Sequence, residues 1–199
     1  MTDFHYDSDL IGGSLLVRES RLIAELLLDG VDQSGWDAAI KLHNVLQKRT
    51  VASAVRTAQT IRKRLERLEP VFFRALLHGD DELSRQVAFI AALERNLLLV
   101  EFMETVVRDA YKTRMESLSQ YQWQDFLDER SFRDAAIHDW KESSRKKMGQ
   151  VVFRMLAEVG YMKSTRSCVL QNVLVRPEVR VMLEDTGRFR IQRCMDISI

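Results

Sequence analysis

Apolar residues recur along this chain at steps of three and four, the spacing of one face of an α-helix. Leu15, Leu16, Ile23, Leu26 and Leu27 predict a first helix over 14–29, closed by Gly30. Ser34 followed by Asp37 resembles a capping box. It opens a second helix over 36–47 with Trp36, Ala39, Ile40 and Leu46 inward. After a short break at Lys48-Arg49-Thr50, Thr50 caps a third helix. Its stripe is Val51, Ala54, Val55, Ala58, Ile61, Leu65 and Leu68, and it stops before Pro70. A short helix over 71–78 ends at Gly79. Asp80 or Asp81 then starts a long helical stretch to about Met115, with a candidate break near Asn96. Its apolar positions, from Val87 and Ile90 through Met103 and Val107 to Tyr111, suit the centre of a bundle.

The second half predicts shorter elements. Ser117 to Gln120 is a polar joint and a candidate domain boundary, giving units 1–118 and 119–199. One or two helical turns follow over 123–128, then a helix from Ser131 to about Trp140. Ser143 or Ser144 caps the next helix, which runs to Glu158 and ends at Gly160. Residues 169–175 suit a strand or a loop. Pro177 opens a short helix that ends near Gly187. Phe189 and Ile191 alternate with Arg188, Arg190 and Gln192, which suits a short strand or wing as well as a helix. The fold class is therefore all-α: a compact helical bundle with a strand or wing as one option near the C-terminus.

Composition adds little until charge is placed along the chain. Only 2 Pro and 8 Gly in 199 residues fit long helices, and 46% hydrophobic residues argue against disorder. The net charge is +1, but it is uneven. Residues 49–67 carry six basic side chains against one acid, and 141–166 carry seven against two. Each segment is +5, so the rest of the chain sums to −9. Two basic islands on an acidic background fit a nucleic-acid-binding module, although a charged helix face is more often only solvated.

Both islands fall on a helix that follows another helix and a short break, as in a helix-turn-helix. There the second helix enters the major groove, and free N–H groups at its start approach phosphate. The first unit offers Arg49, Thr50, Ser53 and Arg56, then Arg62 and Lys63. The second offers Ser144, Arg145, Lys146 and Lys147, then Gln150 and Arg154. Double-stranded DNA is the expected partner, with RNA as an alternative.

Other chemistry finds little support. Gly12-Gly13-Ser14 lacks the lysine of a phosphate loop and reads as a flexible helix entry. His5, His43, His78 and His138 are scattered without metal-ligand spacing. Cys168 and Cys194 form no close pair and read as buried free thiols. No catalytic residue, metal or cofactor is expected. Trp123, Phe126, Phe132 and Trp140 are expected to form the core of the second half, with a base-stacking platform as the sharper alternative. Asp3, Asp7 and Asp9 in an N-terminus without an apolar run argue against a targeting segment, and the longest apolar run, Leu97 to Val100, is far too short to span a membrane.

Three stretches also carry a family pattern: Gly12-Gly13-Ser14-Leu15-Leu16 with Glu19-Ser20 and Ile23-Ala24; Asn44-Val45-Leu46 through Arg49, Ser53, Arg56, Ile61 and Arg64-Leu65; and Gln86 through Ala91-Ala92 to Phe102, with Glu101 as the acid before the phenylalanine. Together they resemble the BrxA family, small helical proteins of bacteriophage-exclusion (BREX) defence systems with a NusB-like fold. The resemblance implies a cytoplasmic, non-enzymatic DNA-binding accessory protein working beside other BREX defence proteins. A protein–protein adaptor and a NusB-like RNA binder are the alternatives.

Overall fold

In a computed structural model, which describes residues 4–198, the chain is all-helical. Helix α1 spans Val17–Leu28 and α2 spans Gln33–Asp37, continuing as a wider π turn over Ala38–Leu42. Then come α3 (Val51–Leu65), α4 (Pro70–His78) and α5 (Asp81–Arg95). Helix α6 (Leu97–Phe102) runs through a π turn (Met103–Val107) into α7 (Arg108–Lys112). The second half holds α8 (Tyr121–Ser131), α9 (Glu142–Val159), α10 (Pro177–Asp185) and α11 (Phe189–Met195). Met1, Thr2 and Asp3, part of the acidic N-terminal stretch, lie outside the described residues.

Helix α5 is the axis on which the others assemble. Its positions Gln86 to Leu93 are all buried, which a helix achieves only when neighbours surround it. It packs against α1, α3, α4, α6, α9, α10 and α11. The predicted break after it occurs at Asn96, where the buried side chain caps α6 by accepting from Leu99 N at 3.3 Å. The same amide donates to the Asp7 carbonyl at 3.0 Å, so one asparagine ends one helix, starts the next and holds the N-terminal segment. Buried Gln86 likewise donates to the Leu174 carbonyl and accepts from Arg176 N, both at 3.0 Å.

The buried apolar residues on either side of the Ser117–Gln120 joint belong to one continuous core, from Tyr6 to Ile197. Two adjacent residues of α6 tie the halves together. The Phe102 ring lies 5.2 Å from Trp123 and 5.3 Å from Phe126, both edge-on, and 6.3 Å from Phe153. Such pairs contribute about 0.5–1.5 kcal/mol beyond their area burial. The buried Glu101 carboxylate meets Arg130 at 2.6 Å, and accepts from Arg133 at 2.9 Å and from the Tyr6 hydroxyl at 2.8 Å.

Three expectations need correction, and two open choices are resolved. The second helix stops at Leu42, not Gln47. Asn44 takes a left-handed backbone (φ 46°) that asparagine tolerates, and its amide brackets Lys48, accepting from its N–H and donating to its carbonyl. The predicted 131–140 helix shrinks to a 3-10 turn over Ala135–Asp139, because only Ile137 there is buried. Phe132 is 93% exposed and Trp140 half-buried, so only Trp123 and Phe126 of that aromatic set enter the core. Phe189 to Met195 is a helix and not a wing: Ile191, Cys194 and Met195 are the inward set, and their three-and-four spacing overrides the local alternation. The 169–175 stretch is a loop touching its neighbours through isolated pairings Ser117–Val169 and Met162–Leu170. Cys168 and Cys194 are buried free thiols, and burial pushes the Cys194 thiol up to about 12.

Removing the Glu101 carboxylate leaves Arg130, itself mostly buried, with only the exposed Glu129 carboxylate at 3.3 Å. Glu101→Ala is expected to lower unfolding stability by about 3–5 kcal/mol. Urea denaturation followed by circular dichroism measures this, and a loss under 1 kcal/mol would contradict the role given to the carboxylate.

Candidate nucleic-acid interface

The first basic island is carried by α3, and the fold divides its cations into two groups. Arg64 is buried: its guanidinium donates to the carbonyls of Ser14 at 2.6 Å and Gly13 at 2.7 Å, pinning the entry to α1. Burial pushes it down to about 10, opposed by Asp9 and Glu158, so it keeps its charge at neutral pH. Arg62 is half-buried, lies 4.6 Å over the Trp36 ring and pairs with Glu66 at 2.5 Å. A candidate contact residue, it is tied at the surface to Trp36 and Glu66 and is not free. Arg49, Arg56, Lys63 and Arg67 are exposed and enter no ion pair among the described residues. Arg56, Gln59 and Lys63 follow one another at three- and four-residue steps, forming one outward stripe.

At the start of α3, Thr50 is the cap the sequence predicts. Its hydroxyl oxygen accepts from Ser53 N at 3.1 Å, and Ser53 itself is half-buried. The connection before it, His43 to Thr50, is eight residues long, against the three or four of a compact helix-turn-helix.

The second island lies on α9. Here the structure changes the expected helix start. The helix begins at Glu142 with Lys141 as N-cap, no side chain caps it, and Ser143 and Ser144 stand inside the first turn. An acid at that position favours the helix start through the backbone dipole. Arg145 is half-buried and pairs with Asp128 of α8, so it too is taken up internally. Lys141, Lys146, Lys147 and Arg154 are exposed and enter no ion pair among the described residues, as are Lys163 and Arg166 just beyond the helix. Lys146, Lys147, Gln150 and Arg154 form the outward stripe, opposite buried Met148, Val152, Met155 and Leu156. The preceding element is the Ala135–Asp139 turn, joined to α9 by two residues.

Close packing fixes the rotation of α9. Trp123 of α8 donates from its indole N–H to the Arg145 carbonyl at 3.0 Å. Gly149 sits directly against that ring, and a Cβ there would come within 2.6 Å of the indole. A groove of about 250 Å³ lies beside this contact, open to solvent and lined on the α9 side by Lys146 and Gln150. Exposed Tyr121, with Gln120 and Gln124, lines its other side. The alternation of glutamine with aromatic residues from Gln120 to Gln124 is its signal in the sequence.

The two basic helices are not principal packing partners of each other. Both flank α5, and both contact the 3-10 turn Asp9–Gly12 that sits between them. Elsewhere most arginines close ion pairs. Arg95 pairs with Asp7 and Asp9, Arg176 with Asp80, Arg188 with Glu69, and Arg190 with Glu104.

Comparison with known proteins gives a consistent family. Residues 4–187 match the BrxA family. A BREX protein BrxA of Paramagnetospirillum magneticum is 34% identical over 199 residues, covering all of both chains. One from Escherichia coli O9:H4 is 34% identical over 180 residues, covering 90% of this chain and 84% of its own. A crystal structure of an uncharacterized protein from Magnetospirillum magneticum superposes with a TM-score of 0.89 at 34% identity, covering 97% of this chain and 99% of that one.

The caps differ in a way stability can read. Thr50→Ala is expected to cost about 1 kcal/mol, whereas Ser144→Ala is expected to stay within about 0.5 kcal/mol. Paired urea melts measure both, and equal losses would contradict the assigned helix starts.

Proposed function

The chain belongs to the BrxA family, and from that premise we propose that it is a non-enzymatic DNA-binding accessory protein of a BREX phage-defence system. It binds duplex DNA mainly through phosphates, using the outer stripes of α3 and α9. The observation that carries this reading is the contrast between spent and unspent cations. Arg64 is buried and Arg62 and Arg145 are half-buried in ion pairs, while Arg49, Arg56, Lys63, Lys146, Lys147 and Arg154 stand exposed and unpaired among the described residues. Each stripe also carries a glutamine, Gln59 or Gln150, able to reach a phosphate or a base edge.

The energetics of such an interface are those of counterion release. Each phosphate neutralised adds about 0.9 to the slope of log K against log salt. Arg62 and Arg145 contribute indirectly, by fixing α3 against Trp36 and α9 against α8. Neither unit has the short turn between two regular helices of a compact helix-turn-helix, so the reading rests on the stripes and not on that motif. No helix among the described residues is long and apolar enough to cross a membrane.

Lys146→Glu combined with Lys147→Glu is expected to weaken duplex binding and to lower the salt slope by about 2. Titrations at several salt concentrations measure it. An unchanged slope removes α9 from the interface. Binding retained by single-stranded RNA but absent for duplex DNA favours an RNA-binding role. Capture of a BREX partner that duplex DNA cannot displace favours an adaptor.

A further inference from the structure

The groove between α8 and α9 differs in chemistry from the basic stripe beside it. Its lining residues include three glutamines, Gln120, Gln124 and Gln150, with one cation, Lys146, and no acidic residue. A surface that only counted phosphates would carry more cations here. Amides present a donor and an acceptor together, which is what the edge of a nucleobase offers in return. Tyr121 stands on the same wall with 74% of its surface exposed, an aromatic face left to solvent at the edge of a cavity. The floor is rigid: Trp123 is buried, tied by its indole N–H to α9, and closed over by Gly149.

We propose that this groove takes an unstacked nucleobase of single-stranded DNA, with Tyr121 as the stacking surface, the glutamine amides on the base edge and Lys146 on the adjoining phosphate. The inference deepens the α9 half of the proposed DNA interface and rests on it. Bases in an intact duplex are stacked on one another, so a groove of this form adds affinity only where a strand is melted, frayed or single. An aromatic platform accepts any base, so it adds affinity without sequence preference. Of the two aromatic residues lining the groove, Trp123 is buried and cannot stack on a ligand, whereas Tyr121 can; exposed Phe132 and Phe189 lie outside its lining.

Fluorescence anisotropy with a labelled oligothymidine and with a mixed-sequence duplex, at equal ionic strength, tests this on the full chain. Tyr121→Ala is expected to weaken oligothymidine binding about tenfold, the scale of one base stacked on one ring. Tyr121→Phe keeps the wild-type affinity, and Gln124→Glu, which puts a carboxylate in the groove, weakens it. Duplex affinity changes less than twofold in Tyr121→Ala. Because Tyr121 is exposed, these variants are expected to melt at the wild-type temperature. The inference is overturned if Tyr121→Ala binds oligothymidine as wild type does, or loses equally on duplex and single strand. It also falls if wild type binds duplex and not oligothymidine, which leaves the duplex proposal standing. If wild type binds neither, both fall.

Discussion

The structure turns on the adjacent pair Glu101 and Phe102 at the end of α6. One side chain presents a buried carboxylate to Arg130, Arg133 and Tyr6; the next inserts a ring among Trp123, Phe126 and Phe153. Residues far apart in sequence thereby meet at a single point of one helix. The ring contact has the longer reach. It seats Trp123, whose indole N–H holds the Arg145 carbonyl and so sets the rotation of α9. That rotation puts Met148, Val152 and Met155 inside and Lys146, Lys147, Gln150 and Arg154 outside. The proposed second stripe is in this sense a consequence of core packing.

Electrostatics on this molecule separate by partner. Arginines such as Arg64, Arg62 and Arg145 are absorbed by backbone carbonyls, an aromatic face or a neighbouring acid. Planar guanidinium groups suit that internal work because they satisfy several acceptors at once. All five lysines of the islands, Lys63, Lys141, Lys146, Lys147 and Lys163, stay in solvent. A near-neutral chain thus concentrates unpaired positive charge on α3 and α9, with Arg74, Arg85, Lys112, Arg114 and Arg193 as scattered exposed cations elsewhere, while many other arginines are tied into pairs. Most exposed pairs of this kind contribute under about 1 kcal/mol each, so their main effect is on where charge remains available.

Much of the fold was legible in the sequence because the strongest signals were local. Thr50 as cap, the stop before Pro70, the break at Asn96 and the end of α9 at Gly160 each depend on a few neighbouring residues, and each occurs as predicted. The misses came where distant contacts override local pattern. Ser144 is a good cap by type, but the helix starts two residues earlier at Glu142. Phe189 and Ile191 alternate like a strand, but the depth of Ile191, Cys194 and Met195 is set by α5 and the turns around it. For the candidate site, the islands could be read from charge alone. Which cations were spent could not, because Arg145 meets Asp128 across 17 residues and Arg64 meets Gly13 across 51. The groove beside Tyr121 was hidden for the same reason: it exists only once α8 and α9 are side by side.

Family membership places this chain among BREX proteins, and the exposed stripes of α3 and α9 carry the proposal that it holds DNA. Hydrogen–deuterium exchange with and without a duplex tests that proposal most directly, since it reports every segment at once. The account predicts slowed exchange confined to the connection and first turns of α3, around 44–56, and to the first turns of α9, around 142–150. Slowing centred on α10 and α11, or none at saturating duplex, would contradict it.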